Sequence, residues 1–200
     1  MASLDRVQAP TGSPASAGWR TREILVVAVI GVTFGVVFWA WNLLYNIVAP
    51  VTAVAPLYAF LMYGMWLVPA ILAPLIVQRP GAAVFAEMVA AGVSTLFGSP
   101  WGPDVLLSGF VQGAAAELVF AMTLYRTWSL PALAAAAIAA AAGAWIHDWA
   151  IYYPDVDLVL QIARGIAMAV SAVVIAGFGS LWLVRALRRA GVLEGFPAGG

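Results

Sequence analysis

The sequence predicts an all-α membrane protein, a polytopic bundle of six transmembrane helices, and three observations lead there. The chain is 64% hydrophobic, against roughly half in an ordinary soluble domain. Charged residues make up 9% of it, too few to cover a water-facing surface. The apolar residues fall in runs about as long as a bilayer core is thick, ~20 residues for a helix. At that length six spans with short connectors nearly exhaust the 200 residues, and no soluble domain fits beside them. Cysteine is absent, which excludes disulfides, thiolate zinc sites and iron–sulfur clusters.

Residues 1–22 are rich in Ser, Ala, Pro and Gly and lack a hydrophobic region ending in a small-residue cleavage site. They read as a disordered cytoplasmic leader, not a signal peptide. The transmembrane domain is then 23–190, and 191–200 reads as a flexible cytoplasmic tail. Within the domain the apolar runs are Ile24–Val48, Pro56–Val77, Ala82–Phe97, Val105–Tyr125, Pro131–Ile151 and Leu158–Val184. Pro and Gly in the connectors stop one helix, and Pro just inside the next run starts another. The third run is short, so it is either closely confined or wrapped by protein.

Orientation follows from the arginines, because the chain has no lysine. Arg6, Arg20 and Arg22 precede the first span, Arg79 lies between the second and third, and Arg126 between the fourth and fifth. Arg185, Arg188 and Arg189 follow the sixth. With six spans these segments share one side, while the opposite connectors hold Asp104, Asp155 and Asp157 and no basic residue. The positive-inside rule puts that arginine-bearing side, with both termini, in the cytoplasm.

Small residues mark close helix approach. Gly31 and Gly35 form a G-x-x-x-G in the first span, extended N-terminally by Ala28. Lipid offers no hydrophobic drive for helix association, so backbones must meet closely to gain packing. The stripe serves either the bundle itself or docking of another membrane protein. The fifth span is nearly all alanine, and the sixth carries Gly165, Ala169, Ala172, Ala176 and Gly179.

Several groups stand where lipid would not tolerate them. Glu87, Glu117 and Arg164 lie inside apolar runs, with Gln112, Ser94, Thr95 and Asn42 adding polar capacity. A charge near the bilayer centre costs at least ~2.5 kcal/mol, so such groups face a protein interior or a watery cavity. Counting helical rise inward from the outer connectors puts Glu87 at about 15 Å, Gln112 at about 12 Å, Glu117 at about 20 Å and Arg164 at roughly 10 Å. All four could line one outward-opening cavity, although Gln112 and Glu117 point about 140° apart on their helix. The alternative is a structural network in which Arg164 pairs with a glutamate. Aromatic residues (Tyr58, Tyr63, Trp66, Trp101, Trp145, Trp149, Tyr152 and Tyr153) gather where such a cavity and its lid would be, and Trp66 lies too deep for an interface anchor. The cluster suits recognition of a small polar, aromatic or cationic solute.

Catalytic chemistry finds little support. His147 and Asp148 are adjacent, but one histidine without a paired metal ligand or serine elbow makes a poor active site. No H-E-x-x-H, Walker A or Mg-diphosphate aspartate motif occurs. No catalytic residue, metal, cofactor or nucleic-acid partner is therefore expected, and any uphill transport draws its energy from a partner protein.

Tyr63-Gly64-Met65-Trp66, Arg79-Pro80-Gly81-Ala82-Ala83, Glu87, the Gly98-Ser99-Pro100-Trp101-Gly102-Pro103 loop, Gln112-Gly113-Ala114-Ala115-Ala116-Glu117, and Asp148 followed by Arg164 together resemble the YkoE family. These are substrate-binding S components of energy-coupling factor (ECF) vitamin importers, and the resemblance runs from about Glu23 to Leu193. It implies a six-helix S-component fold with thiamine or its hydroxymethylpyrimidine precursor as solute. It also implies assembly with a transmembrane coupling protein and a pair of cytoplasmic ATPases. S components usually offer small residues of the first helix to the coupling protein, which here would be Ala28, Gly31 and Gly35. An aminopyrimidine presents a donor amine beside ring-nitrogen acceptors. Glu87 or Glu117 with Gln112 would read that edge, with Trp66, Tyr63 and Trp101 stacking on the rings and Asp148 and Arg164 completing the site. The rival readings are an ion-coupled carrier with Glu87 as proton site, and an intramembrane enzyme using Glu117, His147 and Asp148.

Overall fold

A computed structural model of the chain describes residues 18–52 and 57–199, and among them all regular structure is helical. Helix α1 spans Thr21–Thr52, α2 Leu57–Phe60, α3 Val68–Val77, α4 Ala82–Leu96, α5 Asp104–Met122, α6 Leu130–Ile151, α7 Leu158–Ser171 and α8 Gly179–Arg189. Five continuous helical stretches are long and apolar enough to cross a membrane, with α4 a sixth, shorter apolar helix. The six expected runs fall on these six rods.

Two rods are not regular. The second breaks between α2 and α3 into a 3₁₀ turn, Tyr63–Leu67. Pro69 opens α3, and Gly64 lies so close to the seventh helix that a Cβ would sit 2.3 Å from the Ser171 carbonyl oxygen. The carbonyls freed by the break are satisfied by side chains. Ser171 Oγ donates to Leu61 O at 2.6 Å and Trp41 Nε1 to Met62 O at 3.1 Å, as irregular backbone in an apolar medium requires. The sixth rod passes through a π-helical turn, Ala172–Phe178, between α7 and α8.

One end of the bundle collects the basic connectors. Arg79 makes a bidentate pair with Glu23, at 3.0 and 3.1 Å. Trp19 Nε1 donates to Pro80 O, and the Arg22 guanidinium stands over the Phe196 ring at 5.1 Å. The start of α1, the α3–α4 connector and the C-terminal residues thus meet at this arginine end. Of the expected leader, residues 1–17 lie outside the described residues. In the segment expected to be a tail, Leu193 and Ala198 are buried, Arg188 Nε donates to Ala198 O at 2.8 Å, and Gly191 and Gly195 turn the chain with positive φ. Leu193 and Phe196 are the apolar anchors that hold it down.

Helix α4 packs beside the wholly buried α3. Its 15 residues reach about 22 Å, short of a ~30 Å hydrocarbon core, and protein covers it on two sides. A Cβ on Gly31 or Gly35 of α1 would meet Val89 or Val93 at 2.6 and 2.4 Å, and one on Gly113 of α5 would meet the Val84 backbone at 2.8 Å. Two residues of the stripe expected to meet a coupling protein, Gly31 and Gly35, therefore face α4. Gly31 and Gly35 are buried because α4 occupies the groove they leave.

Candidate functional site

A cavity of about 340 Å³ opens between α1, the broken second rod, α4, α5 and the end of α6. Its wall includes Trp101, Asp104, Tyr152 and Tyr153, all at the end away from the arginines. Helices α1 and α4 run parallel, in register at Gly31 and Val89. Glu87 on α4 and Asn42 on α1 both line the cavity, so it extends along the bundle by about 20 Å.

Glu87 forms its deep end. The side chain is 1% exposed. Its carboxyl takes a hydrogen bond from the Ala70 backbone, in the first turn of α3, where helical N–H groups lack intrahelical acceptors. The other oxygen, Oε1, has no partner. An unpaired carboxylate oxygen beside a cavity calls for a donor.

Toward the open end the wall is aromatic. Tyr63 and Trp66 stand 5.4 Å apart by ring centroid, Trp66 and Trp101 5.6 Å and near perpendicular, and Tyr45 lies 5.7 Å from each tryptophan. The 3₁₀ turn presents Tyr63 and Trp66 together, and Trp66 Nε1 donates to Asn42 Oδ1 at 3.0 Å. Such faces suit both a flat ring and a delocalised cation.

A hydrogen-bonded belt connects the mouth to the interior. The Tyr152 hydroxyl donates to Asp104 Oδ2, whose other oxygen lies 3.3 Å from His147 Nε2. His147 Nδ1 lies 3.2 Å from Asp148 Oδ1. Asp148 is hydrogen-bonded to Tyr63, Tyr63 to Ser108, and Gln112 Nε2 donates to Ser108 Oγ at 2.7 Å. At the mouth, burial and the neighbouring Asp104 carboxylate hold the Tyr152 phenol above its ordinary pKa.

Of the residues singled out from sequence, Glu87, Gln112, Tyr63, Trp66, Trp101 and Asp148 come together on this wall. Glu117 does not. Its carboxylate accepts from Gly81 N at 2.6 Å, Ala83 N at 2.9 Å and the Tyr125 hydroxyl at 2.8 Å. It closes the N-terminus of α4 at the arginine end, where free N–H groups and the helix dipole favour an anion. Burial first and this carboxylate second push the Tyr125 phenol up to about 12. Arg164 is also absent from the wall, and it pairs with no glutamate. Its guanidinium lies 3.6 Å from the Tyr153 ring centroid and 4.5 Å from that of Phe60, one side-chain layer behind the cavity. Sequence reasoning passed over Tyr45 and Ser108. Both were within reach of a helical count: Tyr45 follows Asn42 by three positions and Ser108 precedes Gln112 by four, so each shares a face with its neighbour.

Comparisons with known proteins agree on a class. Residues 22–143 match the family model described as ABC-type cobalt transport system, permease component. Over 186 residues, 90% of each chain, the sequence is 32% identical to YkoE of Bacillus subtilis (strain 168), named as an HMP/thiamine permease. A solved structure described as an S-component of an ECF transporter superposes with a TM-score of 0.86 at 30% identity, covering 91% of this chain and 92% of that one.

Proposed function

Since the chain belongs to the YkoE family of ECF-transporter S components, we propose that its cavity captures thiamine or the hydroxymethylpyrimidine precursor at the outer face of the cell membrane. One observation carries this reading above the rest, the unpartnered oxygen of Glu87 at the deep end of an aromatic-walled cavity. An aminopyrimidine amine donates to that carboxylate, and Gln112 offers its amide oxygen to the same ring edge. A thiazolium then lies among Tyr45, Tyr63, Trp66 and Trp101, where ring faces stabilise a cation and Asp104 and Asp148 supply negative potential. Hydroxymethylpyrimidine needs the deep part alone.

The donor set favours an organic solute over cobalt. The sequence has one histidine and no cysteine, and among the described residues no three His, Cys, Asp or Glu converge as a metal site.

The arginine end is cytoplasmic, with both termini, by the positive-inside rule. The chain performs no chemistry and requires no cofactor. A transmembrane coupling protein and a pair of cytoplasmic ATPases supply the energy, because nothing in the sequence forms a nucleotide site. The test is titration of the purified protein with thiamine and with hydroxymethylpyrimidine in the absence of ATP. Tryptophan fluorescence should change saturably, since Trp66 and Trp101 border the ligand. No response to either compound, with calorimetry also silent, overturns the substrate.

A further inference from the structure

Arg164 is the largest fully buried side chain among the described residues, 1% exposed. Its Nη1 donates to Gln161 Oε1 at 2.6 Å, while Nε and Nη2 have no partner. A guanidinium carries five N–H donors. Burying it with no carboxylate in salt-bridge contact and with donors unmet is among the more destabilising arrangements a fold can hold. Its surroundings indicate what it is kept for. The two rings that cover it, Tyr153 and Phe60, are themselves part of the cavity wall. Gln161, which fixes Nη1, also donates from Nε2 to the Tyr153 carbonyl at 2.6 Å. The guanidinium is therefore held at a set place behind a ring whose backbone is tethered. The Tyr153 ring, the nearer of the two, stands between the guanidinium and the cavity.

We propose that Arg164 is a second recognition point of this cavity, whose free N–H groups hold the hydroxyl oxygen of the substrate's alcohol arm once the Tyr153 ring turns aside. The inference rests on the substrate reading above and concerns thiamine, whose primary alcohol hangs from the thiazolium, away from the pyrimidine held at Glu87. The acceptor is a neutral hydroxyl, not a phosphate. Glu87, Asp104 and Asp148 already line the wall, and Asp148 lies within electrostatic reach of the guanidinium, so a phosphate dianion meets net repulsion. The cavity thus selects free alcohols over their phosphate esters.

Arg164→Met keeps an unbranched side chain of about the length of the arginine stem and removes the charge. In the ligand-free protein its melting temperature should equal or exceed that of the parent, because an unpaired buried charge is lost. Affinity for thiamine should fall about tenfold or more, the weight of a charge-assisted hydrogen bond. A thiamine analogue without the hydroxyl should bind the parent with a similar loss, and should bind Arg164→Met as well as thiamine does. Thiamine monophosphate should bind the parent more weakly than thiamine. Arg164→Lys, which keeps a charge and donors, should retain part of the preference for the alcohol. A variant that melts well below the parent and regains only its fold with lysine makes Arg164 structural and overturns the proposal. So does an undiminished preference for the alcohol in Arg164→Met, and so does tighter binding of the phosphate ester by the parent. If the parent binds neither thiamine nor hydroxymethylpyrimidine, the substrate reading fails instead, and the ligand-free melting comparison still decides whether Arg164 is held at a cost to stability.

Discussion

Glu87 is expensive where it stands. A carboxylate within the apolar half of a membrane costs at least ~2.5 kcal/mol, and one hydrogen bond from Ala70 does not offset it while Oε1 lacks a partner. That imbalance is what a ligand amine would relieve. Glu87→Gln preserves volume and an acceptor for Ala70 but loses the charge. We expect it to purify as a monodisperse protein and to bind about tenfold to a hundredfold more weakly, as ~1.5–3 kcal/mol of charge-assisted hydrogen bonding would give. Unchanged affinity in calorimetry would place the ligand elsewhere. Glu117 shows why a buried carboxylate alone does not identify a site. Residue type and depth made Glu87 and Glu117 equal candidates in the sequence. What separates them is that two backbone N–H groups and a phenol already satisfy Glu117. Those donors arrive from the start of α4 and the end of α5, and only folding brings them together.

Helices show a similar division between what spacing reveals and what packing decides. The small-residue spacing of Gly31 and Gly35 announces a close neighbour, yet it does not say which. The shortness of α4 held the missing clue: a helix too short for the bilayer must be wrapped, and α1 and α5 wrap it. Gly31→Leu therefore tests bundle packing, because its Cβ would lie 2.6 Å from Val89 Cβ and 3.0 Å from the Ala86 carbonyl oxygen. Overpacking of this kind destabilises by about 1–3 kcal/mol or more. The variant should melt lower in detergent and lose binding in parallel, whereas Val32→Leu, on the exposed side of the same helix, should do neither. Normal stability and binding with loss of partner co-purification would restore the stripe to a docking role. The break in the second rod was half legible. Gly64, Pro69 and Pro74 are visible punctuation, but the 3₁₀ turn also needs Ser171 from a helix more than a hundred positions away.

For the molecule as a whole, composition and arginine placement carried most of the architecture. Six apolar runs became six rods because length and hydropathy leave few other solutions. The end-to-end asymmetry of charge survives in space, with Glu23, Arg79 and Glu117 tying the connectors at one end and Asp104, Tyr152 and His147 ringing the mouth at the other. That Arg164 stands behind the wall was not legible, since depth along a helix says nothing of which side chain stands in front. This polarity gives the central claim its form: solute enters at the acidic, aromatic end, and energy arrives through partners at the basic end. Capture and transport should therefore separate. The most direct measurement pairs uptake of radiolabelled thiamine by cells, with and without the genes for the two ATPases, with binding by the same protein purified alone. The account predicts that binding persists without the ATPases while uptake falls to background. Uptake that survives their deletion would contradict it and make the chain a carrier in its own right.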